Sequence, residues 1–268
     1  MNVSAMKDLI GLSLGTRRVT YDERDVILYA LAVGAHATEV ELVYEKDLRV
    51  LSTFALPLGL WAVESVGAIG AYDGGAALHV GQRMLVHRRL PTSASIDIAG
   101  TVTNVFDKGS AALVEVVAES EWFVATYLVF IPGAGGFGGE RGPSSSNAQP
   151  SGDPVWKTCV TTTVDQAALY RLTGDRHPLH IDPEMARAAG YPRPILHGLC
   201  TLGAVVLDLA RSSGRDATEV ASLSARFSLP VVPGDEIEVA AWAGDGSSHY
   251  VASVDGHRAV LSGEISFS

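Results

Sequence analysis

A chain of 268 residues, 47% of them hydrophobic, can bury one large core or two moderate ones, and its net charge of −10 excludes a broad nucleic-acid footprint, which needs a basic face. No apolar run reaches the ~18 to 20 residues that span a bilayer, and the start of the chain lacks the charged-then-apolar order of a secretion signal, so no membrane span is expected. Cys159 and Cys200 stand singly, which suggests neither a cysteine metal site nor a disulfide framework and fits a reducing, cytoplasmic compartment, as does a terminal Ser-Phe-Ser that departs from the peroxisomal Ser-Lys-Leu address.

In chain order, the apolar spacing predicts a short helix over residues 21–33, then a loop and a longer apolar helix over 59–71. The second helix carries small residues at Gly59, Ala62, Gly67, Ala68, Gly70 and Ala71, which points either to close packing on a sheet or to a ligand cavity. Strand-like runs follow at 95–105, 111–118 and 122–131. Gly133 to Gly138 spell a formal G-x-G-x-x-G, but the Glu140-Arg-Gly-Pro-Ser-Ser-Ser behind it cannot start the helix that a dinucleotide site needs. Residues 133–153 read instead as a linker rich in glycine, serine and proline.

The pattern then starts again. A short helix is predicted over 164–172, and Asp182, with Pro183 at the first helical position, caps a helix running towards Ala189. An apolar helix over 198–211 carries the stripe Leu199, Leu202, Val205, Val206 and Leu209 with Arg211 at its end, and strands follow at 219–227, 236–242 and 259–267. L-Y-A-L at 28–31 matches L-Y-R-L at 169–172, and L-P-T-S-A-S-I-D-I at 90–98 matches L-P-V-V-P-G-D-E-I-E-V at 229–239, both at an offset near 140. Two matches at one offset predict a duplicated α+β chain, with an N-terminal repeat over 1–132, a linker over 133–153 and a C-terminal repeat over 154–268.

The chemistry concentrates in Y-R-L-T-G-D-R-H-P-L-H-I-D at 170–182 and P-I-L-H-G-L-C at 194–200. Asp175 and His180 share a loop held by Pro178, whose ring restricts both itself and its predecessor, so a carboxylate and an imidazole can converge without helical periodicity. Such a pair suits acid/base chemistry. Taken alone, an aspartate after glycine is an ordinary turn residue and His180 a satisfied interior histidine. Gly198 opens the apolar helix, where a backbone N–H without an intrahelical partner can stabilise an oxyanion, or where glycine merely permits close packing.

The string D-x-x-P-x-H from Asp175 to His180, followed by His197-Gly198, resembles the MaoC-like (R)-specific enoyl-CoA hydratases, the hydratase 2 family. The likeness extends through Y-D-E-R-D-V-I-L-Y-A-L-A-V-G-A, L-P-T-S, F-D-K-G and G-A-G-G-F-G-G in the first half and A-R-F-S-L-P-V-V-P-G-D in the second. It implies a double hot-dog fold, in which each repeat wraps an antiparallel sheet around a central helix, and the reversible hydration of trans-2-enoyl-CoA to (3R)-3-hydroxyacyl-CoA. It also implies Asp175 and His180 as the catalytic pair, without ordering which takes the water proton, and Gly198 as oxyanion donor. His177 stands where the family usually has asparagine, an amide that histidine can imitate only as the right neutral tautomer.

By the same resemblance the substrate meets His79 and Val80 in an H-x-x-Q segment where Val80 replaces a usual glycine, Lys108 in F-D-K-G, and Phe227 in A-R-F. The loop residues Arg176, Pro178 and Leu179 join them. A phenylalanine ending a strand is otherwise plain core. Ala35 stands near the place of Asp175 in the first half, so that half is expected to bind the acyl chain and the second alone to catalyse. The implied partner is an acyl thioester of coenzyme A or of a carrier protein, with no cofactor and no metal, and a homodimer is expected. A small phosphorylated ligand needs only a few local cations, for which Arg88, Arg89, Lys108, Arg176, Arg193 and Arg226 are candidates among many surface charges. Two other readings stand beside this one: a hot-dog thioesterase working with a carboxylate and water, and a non-catalytic acyl-thioester binder.

Overall fold

The computed structural model describes residues 3–70, 77–142, 152–256 and 258–268. Among them, ten antiparallel strands form one sheet: β1 (Ser13–Tyr21), β2 (Leu78–Val86), β3 (Ala94–Asp107), β4 (Ala111–Glu119), β5 (Phe123–Pro132), β6 (Trp156–Thr161), β7 (Val220–Phe227), β8 (Glu236–Ala243), β9 (Ser248–Val254) and β10 (Arg258–Phe267). The strand order is β1-β3-β4-β5-β2-β7-β10-β9-β8-β6. Outwards from the β2–β7 ladder, one side runs β2, β5, β4, β3, β1 and the other β7, β10, β9, β8, β6, which is the same path taken twice. Arg83 pairs with Ser224 on that ladder, and these two residues are 141 positions apart, as are Leu28 and Leu169. The sequence repeat is therefore a pseudo-two-fold axis passing through the β2–β7 ladder.

The helices are α1 (Glu23–Ala32), α2 (Val40–Val43), α3 (Ala55–Gly59), α4 (Trp61–Ala68), α5 (Gln166–Tyr170), α6 (Pro183–Ala188) and α7 (Gly198–Ser213). Helix α1 starts at Asp22, which accepts from the Asp25 amide while the Asp25 carboxylate accepts from the Asp22 amide, a reciprocal capping box. In α7 the whole stripe Leu199, Leu202, Val205, Val206 and Leu209 is buried against β6 and β8, as its spacing predicts. In the first half, α3 packs on β5 and α4 on β4 and β1. Each half thus lays a helix across its own five strands. The halves are also tied where α1 meets α5 and the start of α7: Gln166 Nε2 donates to Ala32 O at 3.1 Å and Cys200 Sγ, from α7, to the same carbonyl at 3.4 Å. Arg211, expected only to end its helix, also bridges the halves by donating from Nε to Glu39 Oε1 at 2.7 Å and from Nη2 to Gly34 O at 3.1 Å.

The helix expected over 59–71 is the pair α3 and α4, and Ala71 lies outside the described residues. A β-carbon at Gly59 would stand 2.6 Å from Tyr127 Oη and 2.8 Å from Ala118 Cβ, so this glycine serves close packing. No helix starts at the G-x-G-x-x-G. Its Gly136 and Gly138 amides donate to the Asp107 carboxylate at 2.9 and 2.7 Å, beside the Gly109 amide at 2.8 Å, and hydrogen bonds from Gly136, Gly109 and Gly138 draw the Asp107 carboxyl down to about 2. The expected linker is described only up to residue 142 and from residue 152. Among the described residues, no helix is long and apolar enough to cross a membrane.

Candidate active site

Helix α5 ends at the fully buried Tyr170, and a 3-10 turn over Arg171–Thr173 carries the chain to Gly174, whose φ of 138° is open to glycine and strained for other residues. That turn delivers Asp175 to the wall of a cavity of about 590 Å³. His177 N-caps the following 3-10 turn, Pro178–His180: its Nδ1 accepts from the Leu179 amide at 3.3 Å, while its own amide donates to Asp175 Oδ1 at 3.1 Å. The lone pair on Nδ1 is therefore in use, and the neutral ring carries its proton on Nε2. This is the cap that an asparagine Oδ1 would also make. Asp182 then caps α6, its Oδ1 accepting from the Glu184 amide at 2.8 Å, so its role is structural as expected.

His180 Nδ1 lies 2.9 Å from Ile195 O. A carbonyl only accepts, so Nδ1 is the protonated nitrogen and Nε2 keeps its lone pair. Burial lowers the His180 pKa, with the Asp175 charge acting in the opposite sense. Gly198 is the first residue of α7 and lines the same cavity; a β-carbon there would meet the Phe227 ring at 3.3 Å. His79 and Val80 come from β2 at a bulge between His79 and Gly81, where His79 Nε2 sits 2.9 Å from Gly81 O. Val80 is not among the described residues with positive φ, which accounts for valine being accepted where the related motif has glycine. His79 keeps partial exposure because it faces the cavity, yet its enclosure drops its pKa to about 4.

The structure therefore brings Asp175, His177, Leu179, His180, Gly198, His79, Val80 and Phe227 together on one cavity. Pro178 and Arg176 flank it within the same loop without lining it. Lys108 does not join them: it lies on the β3–β4 turn, donates to Arg141 O, and stands 5.7 Å over the Phe106 ring. The rest of the wall is mostly apolar and includes Val63, Gly67, Leu78, Leu196, Leu229 and Val260. Glu64, Tyr191, Thr201 and Ser228 are its polar members, and the sequence assigns none of them a site role. Glu64 projects from α4 of the first half, its pKa raised by burial and then by the Asp175 charge. His197, visible in sequence only as the neighbour of Gly198, is 1% exposed and stacks on His180 with ring centroids 3.8 Å apart at 27°. Donor atoms of Asp175, His180 and His197 lie within 4.8 Å of one another, close enough to surround a cation. Stacked rings direct their nitrogen lone pairs side by side rather than towards one point, however, and His180 Nδ1 is already engaged by Ile195. Acid/base use fits the geometry better.

Two halves of helix on sheet, joined strand to strand and sharing one Asp/His cavity, make this a double hot-dog protein. Two family models match the chain, the MFE-2 hydratase 2 N-terminal domain over 19–129 and the MaoC like domain over 146–262. The chain is 36% identical to the peroxisomal enoyl-CoA hydratase 2 of Arabidopsis thaliana, over 87% of this chain and 85% of the relative. It is 37% identical to the enoyl-CoA hydratase ChsH3 of Mycobacterium tuberculosis, over 95% of each chain. The crystal structure of a MaoC-like dehydratase from Phytophthora capsici superposes with a TM-score of 0.87 at 26% identity, covering 100% of this chain and 98% of that one. The chain belongs to the MaoC-like enoyl-CoA hydratase 2 family of hydro-lyases.

Proposed function

We propose that this protein interconverts trans-2-enoyl-CoA and (3R)-3-hydroxyacyl-CoA, with Asp175 and His180 as the acid/base pair and Gly198 as the oxyanion donor. The observation that carries the proposal is the convergence of the Asp175 carboxylate, the unprotonated Nε2 of a half-buried His180 and the first residue of α7 on one largely apolar cavity. The thioester carbonyl accepts from the Gly198 amide, whose position at a 16-residue helix start leaves it without an intrahelical partner. A water between Asp175 and His180 loses a proton to the pair and forms the C3–O bond; the π electrons move towards C2 and the thioester carbonyl, and a proton from the pair completes C2–H. His177 holds one Asp175 oxygen through its amide and stabilises the turn that carries His180.

The apolar wall contributed by Val63, Gly67 and Leu78 supports acyl-chain binding by the repeat at 1–132, and the place of Asp175, His180 and Gly198 on the same cavity supports catalysis by the repeat at 154–268, with residues 133–153 as the linker of this reading. The two relatives, both enoyl-CoA hydratases by name, support coenzyme A as the carrier rather than a carrier protein. A homodimer remains part of the proposal, to be checked by light scattering. Lone cysteines support a reducing compartment; the Arabidopsis relative is peroxisomal, a location outside the cytoplasmic expectation. One assay tests the activity. With trans-2-enoyl-CoA, a hydratase consumes the conjugated double bond and chiral analysis gives the (3R) alcohol, whereas release of free thiol marks a thioesterase and binding without either marks a binder. A (3S) product overturns the assignment.

A further inference from the structure

We infer that His197 is a positioning residue that locks both members of the catalytic pair at once: its ring is the platform on which His180 lies, and its Nε2–H holds the loop of Asp175. The inference rests on the hydratase reading. His197 Nε2 lies 3.2 Å from the backbone oxygen of Asp175. That oxygen can only accept, so the proton sits on Nε2 and Nδ1 is bare. Nδ1 is buried without a hydrogen-bond partner. An orphan acceptor costs free energy, and a phenylalanine would fill the same space without one. What histidine adds over phenylalanine is the hydrogen bond to Asp175.

The other contacts explain why this residue rather than another can act so. Its ring faces His180 at 3.8 Å and is backed by Tyr170 at 4.9 Å, so the His180 ring plane has a rigid floor. Its carbonyl accepts from the Thr201 amide at 3.0 Å and from Thr201 Oγ1 at 3.2 Å, which fixes the residue to the first turn of α7. Gly198 is the next residue. One buried side chain thus registers the carboxylate, the imidazole and the oxyanion donor against each other, and it does so without lining the cavity. A residue in that position should change the rate of the chemical step and leave substrate affinity alone.

The test uses the full chain with a medium-length trans-2-enoyl-CoA. His197→Phe keeps the platform and loses the donor, His197→Gln keeps a donor and loses the platform, and His197→Leu loses both. Expected is a fall in kcat on the order of 10- to 100-fold for Leu, with intermediate values for Phe and Gln and KM within threefold of the parent. Equal kcat in all four proteins, or a change confined to KM, overturns the inference. Should the variants fail to fold, long-range ¹H–¹⁵N spectra of the parent decide: neutral rings with the proton on Nε2 of His197 and Nδ1 of His180 support it, and the opposite tautomer in either ring overturns it. A parent that folds but hydrates no enoyl-CoA refutes the hydratase reading instead, while the tautomers still report on the stack.

Discussion

The imidazole of His79, from the first half, packs 4.9 Å from the ring of Phe227, from the second, so the wall beside Gly198 is built jointly by both repeats. Phe227 is also what a β-carbon on Gly198 would strike, at 3.3 Å. Gly198→Ala keeps the backbone donor and should displace that ring, lowering kcat/KM on the order of 10- to 100-fold through misplacement of the thioester. Phe227→Leu in the same chain should recover part of the loss. Steady-state kinetics of the two single variants and the double variant check this, and simple additivity would count against it.

Asp175→Asn and His180→Gln should each lower kcat by ~100-fold or more with the fold intact, because a general acid or base contributes 10² to 10⁴. Circular dichroism establishes the fold and loss of the enoyl chromophore gives the rate. A variant retaining near-normal turnover removes that residue from the mechanism.

His177→Asn should remain active. The asparagine Oδ1 can accept from the Leu179 amide as Nδ1 does now, and the Asp175 oxygen is held by the backbone amide of residue 177, which the change leaves in place. His177→Leu removes the cap and should cost more. Steady-state kinetics of the asparagine variant should give a kcat close to that of the parent; complete inactivation would give His177 a chemical duty of its own.

Acid should weaken the fold through its buried and half-buried histidines. Burial lowers the pKa of His79 from 6.5 to about 4 and that of His197 to about 3, and lowers His180 as well. Between 6.5 and about 4 the unfolded chain binds more protons at these sites than the folded one, so stability rises with pH across that interval and is lost as pH falls through it. Urea midpoints measured from pH 7.5 to 4.5 should decline on this schedule, and His79→Phe should decline less steeply. A flat profile would contradict the enclosure of these rings.

Gly67 lines the cavity, so filling it should act on acyl length. Long enoyl chains should bind better than crotonyl-CoA in the parent, since each buried methylene contributes about 0.8 kcal/mol. Gly67→Phe should reverse that order, cutting kcat/KM on twelve or more carbons, counted roughly from the extended length of such a chain, while sparing four. A parent series that peaks at the shortest substrate would refute it.

Much of this was legible in residues with strong periodicity or a fixed local chemistry. The α7 stripe, the Asp182 cap, and six strands at 95–131 and 219–267 emerge within a few residues of their expected positions. Four strands escaped notice. β1 and β6 are the two edges of the sheet, and β1 is mostly exposed on both faces, so neither carries a clear apolar alternation. β2 is interrupted by its bulge and by Gln82 and Arg83, and β9 is diluted by serines. Gly59 and Gly67 look alike in sequence; which one packs against Tyr127 and which one faces the cavity depends on the sheet. His197 was visible but mute, because no spacing rule announces a ring stack formed between two loops.

The mirrored strand path has a further implication for how such an enzyme can specialise. Two identical subunits joined along one ladder would place equivalent loops on both sides of the axis, and any widening of one chamber would be imposed on the other. A tandem polypeptide removes that constraint. Here alanine at position 35 and a carboxylate at position 175 belong to different repeats of one chain, delivered in fixed one-to-one stoichiometry. Asymmetry of this kind would let one repeat change without imposing the same change on its twin. Residues such as Val63 and Gly67 thereby become the natural places for substrate range to evolve without touching the machinery.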